Sequence, residues 1–202
     1  MKWILSRFNH DTSYLKEYTE DYVMYDRSEA PLEDPRVIKV PNIGTDIYDK
    51  FTFIIDNYDN LPDVAVYTKA NIFKYITKEE FNKIKDNKTF TLILTKNHKE
   101  KHDGKDWICY YKDGIYWEIN NMWYLGAHPP RGKDTPRELQ KLLGISEMKY
   151  IPFAPGSNYI LPKENILKHS KAFYKILRSY LDWAVYPGEA QIMERGLHTL
   201  WS

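Results

Sequence analysis

Three short polar segments, each directly after a predicted strand, carry side chains that could bind a charged ligand. They are residues 6–11, 26–28 and 68–71, and they include the cations Arg7 and Lys69. If the strands before them are parallel neighbours, the three segments meet at one edge of the sheet, where open α/β sheets bind ligands. This interpretation predicts a nucleotide-binding crevice at that edge. The alternative is that the polar residues only end the strands, as they do in every α/β protein.

Residues 40–71 predict a helix followed by a buried strand. These two elements must position the third polar segment. Asn42 and Gly44 predict a turn because both tolerate positive φ, and Thr45 predicts the N-cap of the next helix. Apolar residues then recur on one helical face at positions 47, 51, 54, 55 and 58. The apolar run 64–67 is typical of a central strand, so Lys69 and Asn71 follow its carboxyl end.

Similar patterns predict the other elements. Further strands are predicted at residues 3–6, 22–25, 37–40, 90–94, 150–153 and 158–161, and a β-hairpin at 107–119 with its turn at Asp113 and Gly114. Helices are predicted around Tyr14, after the Thr77–Glu80 capping box, at 135–143, and through 162–183 and 189–201 with a break near Ser170. This alternation predicts an α/β fold with a mostly parallel central sheet flanked by helices, an added β-hairpin and a helical C-terminus.

Composition and charge are those of an ordinary globular domain. The net charge of +1 over 202 residues gives no overall field that would attract nucleic acid. Cys109 is the sole cysteine, which excludes an internal disulfide and suits a reducing, cytoplasmic location. No stretch reaches the roughly 20 apolar residues of a membrane span, so no transmembrane segment is expected. His98 and His102 lie in a loop of Lys and Glu residues, which indicates a solvated turn rather than a zinc site.

Short motifs, in their order along the chain, resemble a family of GT-A-like glycosyltransferases. The motifs are Ser-Arg-Phe-Asn-His-Asp at 6–11, Met-Tyr-Asp-Arg at 24–27, Pro-Asn-Ile-Gly at 41–44, Tyr-Asp-Asn-Leu-Pro-Asp at 58–63, Pro-Gly-Ser-Asn-Tyr-Ile-Leu-Pro-Lys-Glu-Asn-Ile at 155–166, Phe-Tyr at 173–174 and Met-Glu-Arg-Gly-Leu-His-Thr-Leu-Trp at 193–201. The resemblance covers most of the chain except about residues 79–149. Compact single-domain sugar transferases encoded by viruses are similar in size.

This resemblance implies a single glycosyltransferase-like domain over residues 1–202, with a GT-A-like (Rossmann-like) sheet. It implies a hexosyl- or deoxyhexosyltransferase of glycan biosynthesis, which uses a nucleotide-diphosphate sugar as donor, with a UDP-sugar favoured. The acceptor would be a hydroxyl group of a carbohydrate or another molecule.

The resemblance also implies which residues bind the donor. Asp26 would accept a hydrogen bond from the base or ribose, and residues 156–158 would cradle the transferred sugar or the acceptor. The alternative is that residues 156–158 are simply a turn. The full set of expected binding residues is Ser6, Arg7, Asn9, Asp11, Asp26, Asn42, Lys69, Asn71, Gly156, Ser157 and Asn158.

GT-A enzymes usually carry an Asp-x-Asp pair at the end of the strand that precedes Lys69, where Mn²⁺ or Mg²⁺ bridges it to the diphosphate. This chain has Thr-Lys-Ala-Asn at 68–71 and no Asp-x-Asp anywhere. Positive charge is needed near the oxygens of a departing diphosphate, so two arrangements stay open. Either Lys69 or Arg7 supplies the charge without a metal, or a weak metal site uses Asn71 and a distant His198. The alternative for Lys69 is an ordinary solvated lysine.

Two glutamates near the start of the last predicted helix are candidates for acid–base chemistry. An inverting transfer needs a carboxylate base within hydrogen-bond reach of the acceptor hydroxyl, and the resemblance implies Glu189 or Glu194. Glu189 follows a Pro-Gly pair and could instead stabilise the helix N-terminus. Several aromatic residues could stack on an acceptor sugar or simply pack in the core. They are Trp107, Tyr116, Trp117, Trp123 and Tyr124.

Three functions are therefore consistent with the sequence. The leading one is a sugar transferase that uses a nucleotide-sugar donor. The alternative is a non-catalytic relative that binds a nucleotide or a glycan, which the missing Asp pair favours. A nucleotidyltransferase is a third possibility, although such an enzyme would also need metal-binding carboxylates.

Overall fold

The computed structural model describes residues 1–95, 108–112 and 115–202. Within these ranges the strands are β1 (Lys2–Arg7), β2 (Tyr22–Asp26), β3 (Val37–Lys39), β4 (Val64–Lys69), β5 (Thr91–Leu92), β6 (Cys109–Lys112), β7 (Ile115–Ile119), β8 (Tyr150–Phe153) and β9 (Tyr159–Pro162). The α-helices are α1 (Leu15–Tyr18), α2 (Thr45–Asp56), α3 (Lys78–Ile84), α4 (Thr135–Leu142), α5 (Lys163–Ile166), α6 (Lys171–Ser179) and α7 (Gly188–Trp201). Short 3₁₀ helices lie at Tyr58–Asn60, Ile72–Lys74 and Trp123–Gly126.

Six strands form the central sheet in the order β3-β2-β1-β4-β9-β5. β1 pairs in parallel with β2 on one side and β4 on the other, and β3 extends the parallel part beyond β2. β9 runs antiparallel to both β4 and β5. The mostly parallel sheet confirms the predicted α/β class.

Helices cover both faces of this sheet. Successive residues of each strand point to opposite sides, so each strand packs against helices on both faces. Ile4 of β1 belongs to a buried cluster that contains residues of α2, α6 and α7, whereas Trp3 and Leu5 belong to a second cluster with residues of α1 and α3. The strands are therefore apolar on both faces, as expected for a parallel sheet. Among the described helices, none has the length and apolar character needed to cross a bilayer.

The predicted hairpin is confirmed and is part of a second, antiparallel sheet in the order β6-β7-β8. β7 pairs with both neighbours. The turn residues Asp113 and Gly114 lie outside the described residues, as do Trp107, His98 and His102.

Most of the helix-capping residues predicted from the sequence are confirmed. The Thr77–Glu80 capping box is present, and Ser170 caps α6, which confirms the break near it. The prediction that Thr45 caps α2 is wrong by one residue, because the cap is Gly44 at φ 66°. A Cβ at Gly44 would lie 2.7 Å from the Leu181 carbonyl oxygen, so a side chain has no room there. The strand predicted at 90–94 is shorter than expected, since only Thr91–Leu92 pairs.

Candidate functional site

The carboxyl ends of β1 and β4 lie side by side at the point where the connections of the parallel sheet change direction. The chain passes from β1 to β2 and β3 on one side and returns to β4 on the other, and open α/β sheets bind ligands at such a point. A cavity of about 250 Å³, called here the first cavity, lies at this edge. It is lined by Ser6, Arg7, Phe8, His10, Arg27, Asn42, Thr45, Asp46, Lys69, Asn71, Tyr75, Tyr186 and Gln191. The three polar segments therefore do converge.

Arg7 is held at the rim of the first cavity by Asp26 of β2. Arg7 Nη1 donates to Asp26 Oδ2 over 2.6 Å and to Ser28 Oγ over 3.0 Å. Burial favours the neutral form of Asp26, but the hydrogen bonds from Ser28, Leu32 and Arg7 outweigh it and keep the pKa of Asp26 below its ordinary value. Asp26 is fully buried and does not line the cavity. It binds Arg7 and backbone amides where the sequence predicted a base or ribose.

Arg27, which sequence reasoning did not single out, ties β2 to α2. Its Nε and Nη2 atoms donate to the two carboxylate oxygens of Asp49 over 2.8 and 2.7 Å. Its guanidinium also donates to the carbonyl oxygens of Ile43, over 2.5 Å, and Thr45. The residue fixes the N-terminus of α2 against the carboxyl end of β2.

Asp46 forms the floor of the first cavity and is shared by two lysines. Lys69 Nζ lies 3.3 Å from Asp46 Oδ1, while Lys50 Nζ and Ser157 Oγ both donate to Asp46 Oδ2. Burial opposes charge on all three ionisable groups. The lysines nevertheless keep the pKa of Asp46 below its ordinary value, and Asp46 together with Glu194 keeps the pKa of Lys69 above its own. Burial lowers the pKa of Lys50, and Asp46 opposes that effect.

The turn at residues 156–158 lies beneath the cavity and positions Lys69. Asn158 Oδ1 accepts the backbone N–H of Lys69 over 2.9 Å, and Asn158 is fully buried. Gly156 has φ 85°, and a Cβ there would lie 2.5 Å from the Tyr75 ring. The Gly156 N–H donates to Glu194 Oε1 over 2.7 Å. Asn158 and the equally buried Ser157 therefore contact protein groups and line neither the first cavity nor the second, described next.

A second cavity, of about 470 Å³, adjoins the first and shares Lys69, Tyr75 and Gln191 with it. Its other lining residues are Lys74, Trp123, Tyr124, Ala127, His128, Phe153, Pro155, Gly156, Glu194 and Arg195. The Lys69 side chain is thus accessible from both spaces.

A buried ion pair supports the wall of the second cavity. Arg195 of α7 donates to the two oxygens of Glu118 over 2.5 and 3.3 Å. The Arg195 guanidinium carbon lies 3.7 Å from the centre of the Tyr124 ring. Neither residue of the pair is more than 5% exposed, so the pair mainly holds α7 against β7.

The aromatic residues named from the sequence divide between core and surface. Tyr116 and Tyr124 are buried, so packing accounts for most of their surface. Trp117 stacks on Tyr110 in the second sheet. Trp123 is 44% exposed and lines the second cavity, which makes it the best placed of the described set for stacking on a sugar.

Asn9, Asp11 and Asn42 have different surroundings. Asn9 lies at the loop after β1 with φ 55°, and its backbone N–H donates to Ser28 Oγ. Asp11 accepts from the backbone and hydroxyl of Ser13 and lines another surface pocket. Only Asn42 of the three lines the first cavity.

The structure does not bring Asn71 and His198 into one cavity. Asn71 lines the first cavity, and its Oδ1 is buried without a hydrogen-bond partner among the described residues. His198 lies near the end of α7 and packs edge-on against Phe90, and burial lowers its pKa to about 4. The described ranges contain no group of three or more His, Cys, Asp or Glu residues arranged to hold a metal ion.

Glu189 is buried at the start of α7 and lines neither of the two cavities. Its Oε1 accepts the backbone N–H of Arg131 over 2.7 Å, and its Oε2 has no partner among the described residues. The residue therefore connects α7 to the loop before α4. Glu194, by contrast, lines the second cavity.

The chain belongs to the family described as "Protein of unknown function (DUF3431)", whose model matches residues 2–202. Among curated proteins, a proline–tRNA ligase of Nanoarchaeum equitans (strain Kin4-M) is 23% identical over 135 residues, which are 65% of this chain and 25% of the ligase. The chain thus matches about a quarter of the length of that relative. No solved structure matches.

Proposed function

We propose that the protein is a glycosyltransferase of GT-A-like architecture, which moves a sugar from a nucleotide-diphosphate sugar, with a UDP-sugar favoured, to a hydroxyl group of a glycan or another acceptor. The observation that carries the proposal is the position of Lys69. It lies at the carboxyl end of β4, and its side chain lines two adjoining cavities. A group that bridges two cavities can act where a donor and an acceptor meet.

The first cavity suits the donor. Lys69 and Arg7 supply positive charge for the diphosphate, and parallel-sheet edges of this kind bind nucleotides. Phe8 and Tyr186 are 41% and 60% exposed and line the same cavity, so their rings can stack on a nucleobase. Asn42 offers an amide for hydrogen bonds.

The charge of Lys69 also suits the departure of the diphosphate. Asp46 and Glu194 outweigh burial and keep the pKa of Lys69 above its ordinary value, so the ammonium group persists at neutral pH. Preorganised positive charge near the developing phosphate oxygens lowers the barrier to their departure. Lys69 therefore takes the place that the Asp-x-Asp-bound cation has in other GT-A enzymes.

The second cavity suits the acceptor. Trp123 offers an exposed ring, and Glu194 offers a carboxylate in the same space. Glu194 Oε1 accepts from Gly156, whereas Oε2 lies 3.7 Å from Arg195 Nη1. In this proposal Glu194 is the base that receives the proton of the acceptor hydroxyl, and Glu189 has a structural role.

The test is release of nucleoside diphosphate from a panel of nucleotide sugars, with and without Mn²⁺ and candidate acceptors. We expect turnover with at least one donor, and a loss of about 100-fold in Lys69→Met, the usual effect of removing one preorganised stabilising group. Lys78→Met is the matched control because it removes the same charge from an exposed site outside both cavities. Equal turnover in Lys69→Met and the wild type would contradict the proposal.

One observation favours the alternative of a non-catalytic nucleotide- or glycan-binding protein. Both cations proposed for the diphosphate are already paired, Lys69 with Asp46 and Arg7 with Asp26. Nucleotide binding without turnover, in the presence of acceptors, would support that alternative. A nucleotidyltransferase would instead release pyrophosphate.

A further inference from the structure

Lys50 is a buried cation that no ligand can touch, yet it belongs to the floor of the first cavity. The residue is 1% exposed and lines neither cavity. It lies one helical turn after Asp46 in α2, and its Nζ contacts Asp46 Oδ2 and donates to Ser157 Oγ over 3.0 Å. Lys69 uses the other carboxylate oxygen, so the two lysines approach Asp46 from different sides.

A purely structural purpose explains this arrangement poorly. Taking a lysine and an aspartate out of water costs several kcal/mol per ion, and well-packed apolar residues of similar volume are commonly as stable.

The charges of the three groups show what Lys50 adds. Asp46 and Lys69 alone would be neutral together, and a carboxylate 3.3 Å from the ammonium group would oppose the binding of an anion. With Lys50 protonated, the form that its contact with Asp46 favours, these three groups carry one net positive charge. Because Lys50 lines neither cavity, it can act on a bound anion only through its charge and not through a contact.

We propose that Lys50 is a positioning residue that offsets the charge of Asp46, so that Asp46 can orient Lys69 without cancelling its attraction for an anion. The inference rests on the proposed function, in which that anion is the diphosphate of the donor. It also makes a claim that the proposed function does not include. The affinity for the anion depends on Lys50, a residue that the ligand does not contact.

The experiment is calorimetric titration of the protein with inorganic pyrophosphate, in the wild type, Lys50→Met, Asp46→Asn and the double variant. We expect Lys50→Met to weaken pyrophosphate binding about tenfold, because Asp46 then opposes the anion. In the Asp46→Asn background the same change should weaken binding less than about threefold, because burial drives Lys50 to its neutral form once Asp46 no longer opposes that effect, and Lys50→Met then removes no charge. Equal effects of Lys50→Met in the two backgrounds would overturn the inference.

Two controls separate this role from loss of folding. Binding of uridine, which carries no charge, should be unchanged in Lys50→Met, whereas a damaged cavity would lose uridine and pyrophosphate together. If Lys50→Met does not fold, the comparison of Asp46→Asn with the double variant decides: a loss of more than about threefold between these two variants contradicts the proposal. Lys78→Met controls for the change in net charge.

The same titrations distinguish failure of the inference from failure of the proposed function. Pyrophosphate binding that follows the expected pattern, without turnover of any nucleotide sugar, would leave the inference standing and remove the transferase. Turnover of a nucleotide sugar, together with unchanged pyrophosphate affinity in Lys50→Met, would leave the proposed function standing and remove the inference. Absence of pyrophosphate binding in the wild type would contradict both.

Discussion

The two adjoining cavities share three residues, but the charged groups beside them are arranged differently. At the floor of the first cavity, the buried Asp46 contacts two lysines, the buried Lys50 and the partly exposed Lys69, and only Lys69 of these two lines the cavity. The wall of the second contains an ion pair, Arg195 with Glu118, covered by the Tyr124 ring. Arg195 and Glu118 are buried and contact each other, whereas Lys69 is partly exposed and lies where a ligand can reach it. Under the proposed function, the first cavity binds the diphosphate and the second binds a sugar face.

The largest effect that we predict is a loss of folding stability on substitution of Arg195. Arg195→Met leaves Glu118 without its bidentate partner in a buried site, and breaking such a pair costs about 3–5 kcal/mol. Urea unfolding of the variant measures this cost. Arg137→Met, at an exposed position of α4, is the control, and a cost below about 1 kcal/mol at Arg195 would show that the pair is not structural.

A smaller effect on stability should come from His198, outside both cavities. Burial lowers the folded pKa of His198 to about 4, below the ordinary 6.5. Between these values the unfolded chain binds a proton that the folded chain does not, so stability is complete above pH 6.5 and falls as the pH drops toward 4. The loss should be about 2 kcal/mol once partial exposure is allowed for.

His198→Phe tests this by removing that part of the pH dependence, measured as the free energy of unfolding at pH 7 and pH 4.5. The exposed His10 provides the control variant, His10→Phe. An unchanged pH dependence in His198→Phe would show that the pKa of His198 is the same in the folded and the unfolded chain.

At the second cavity, Trp123→Ala should weaken the acceptor and not the donor. Loss of an exposed stacking ring is worth about 0.5–1.5 kcal/mol, so the KM for the acceptor should rise up to about tenfold while the KM for the nucleotide sugar stays constant. Steady-state kinetics with each substrate varied in turn measures both values. A rise confined to the donor would reverse the assignment of the two cavities.

The smallest expected effect is on the stability of Lys69→Met. Its side chain is 28% exposed, and Asp46 keeps Lys50 and Ser157 when Lys69 is removed. We therefore expect a cost of less than about 1 kcal/mol, as for other partly exposed ion pairs. Urea unfolding of Lys69→Met and Arg195→Met under the same conditions measures the two costs. A cost as large as that of Arg195→Met would mean that Lys69 is structural.

Local patterns predicted the fold well because its signals lie close together in the sequence. The Thr77–Glu80 capping box spans one helical turn, and the apolar run before Lys69 reads as a buried strand by itself. The antiparallel direction of β9 could not be predicted in the same way. Its pairing with β4 joins residues almost 100 positions apart, such as Val64 and Pro162.

The cavity at this edge of the sheet was predicted in location, but the contacts of its surrounding residues were not, for a physical reason. A polar residue after a strand has the same sequence signal whether it faces a ligand or a protein group, so Asp26 and Asn158 were both expected to bind the donor. Their partners are Arg7, 19 positions away, and Lys69, 89 positions away. The spacing of Asp46 and Lys50, four residues apart on one helix, was the signal that could have revealed the cavity floor.

The most direct test of the central claim, that the carboxyl ends of β1 and β4 hold a nucleoside diphosphate, is calorimetric titration with UDP. The account predicts one binding site in the wild type, affinity about 100-fold weaker in Lys69→Met, and unchanged affinity in Lys78→Met. Absence of UDP binding, or equal affinity in all three proteins, would contradict it.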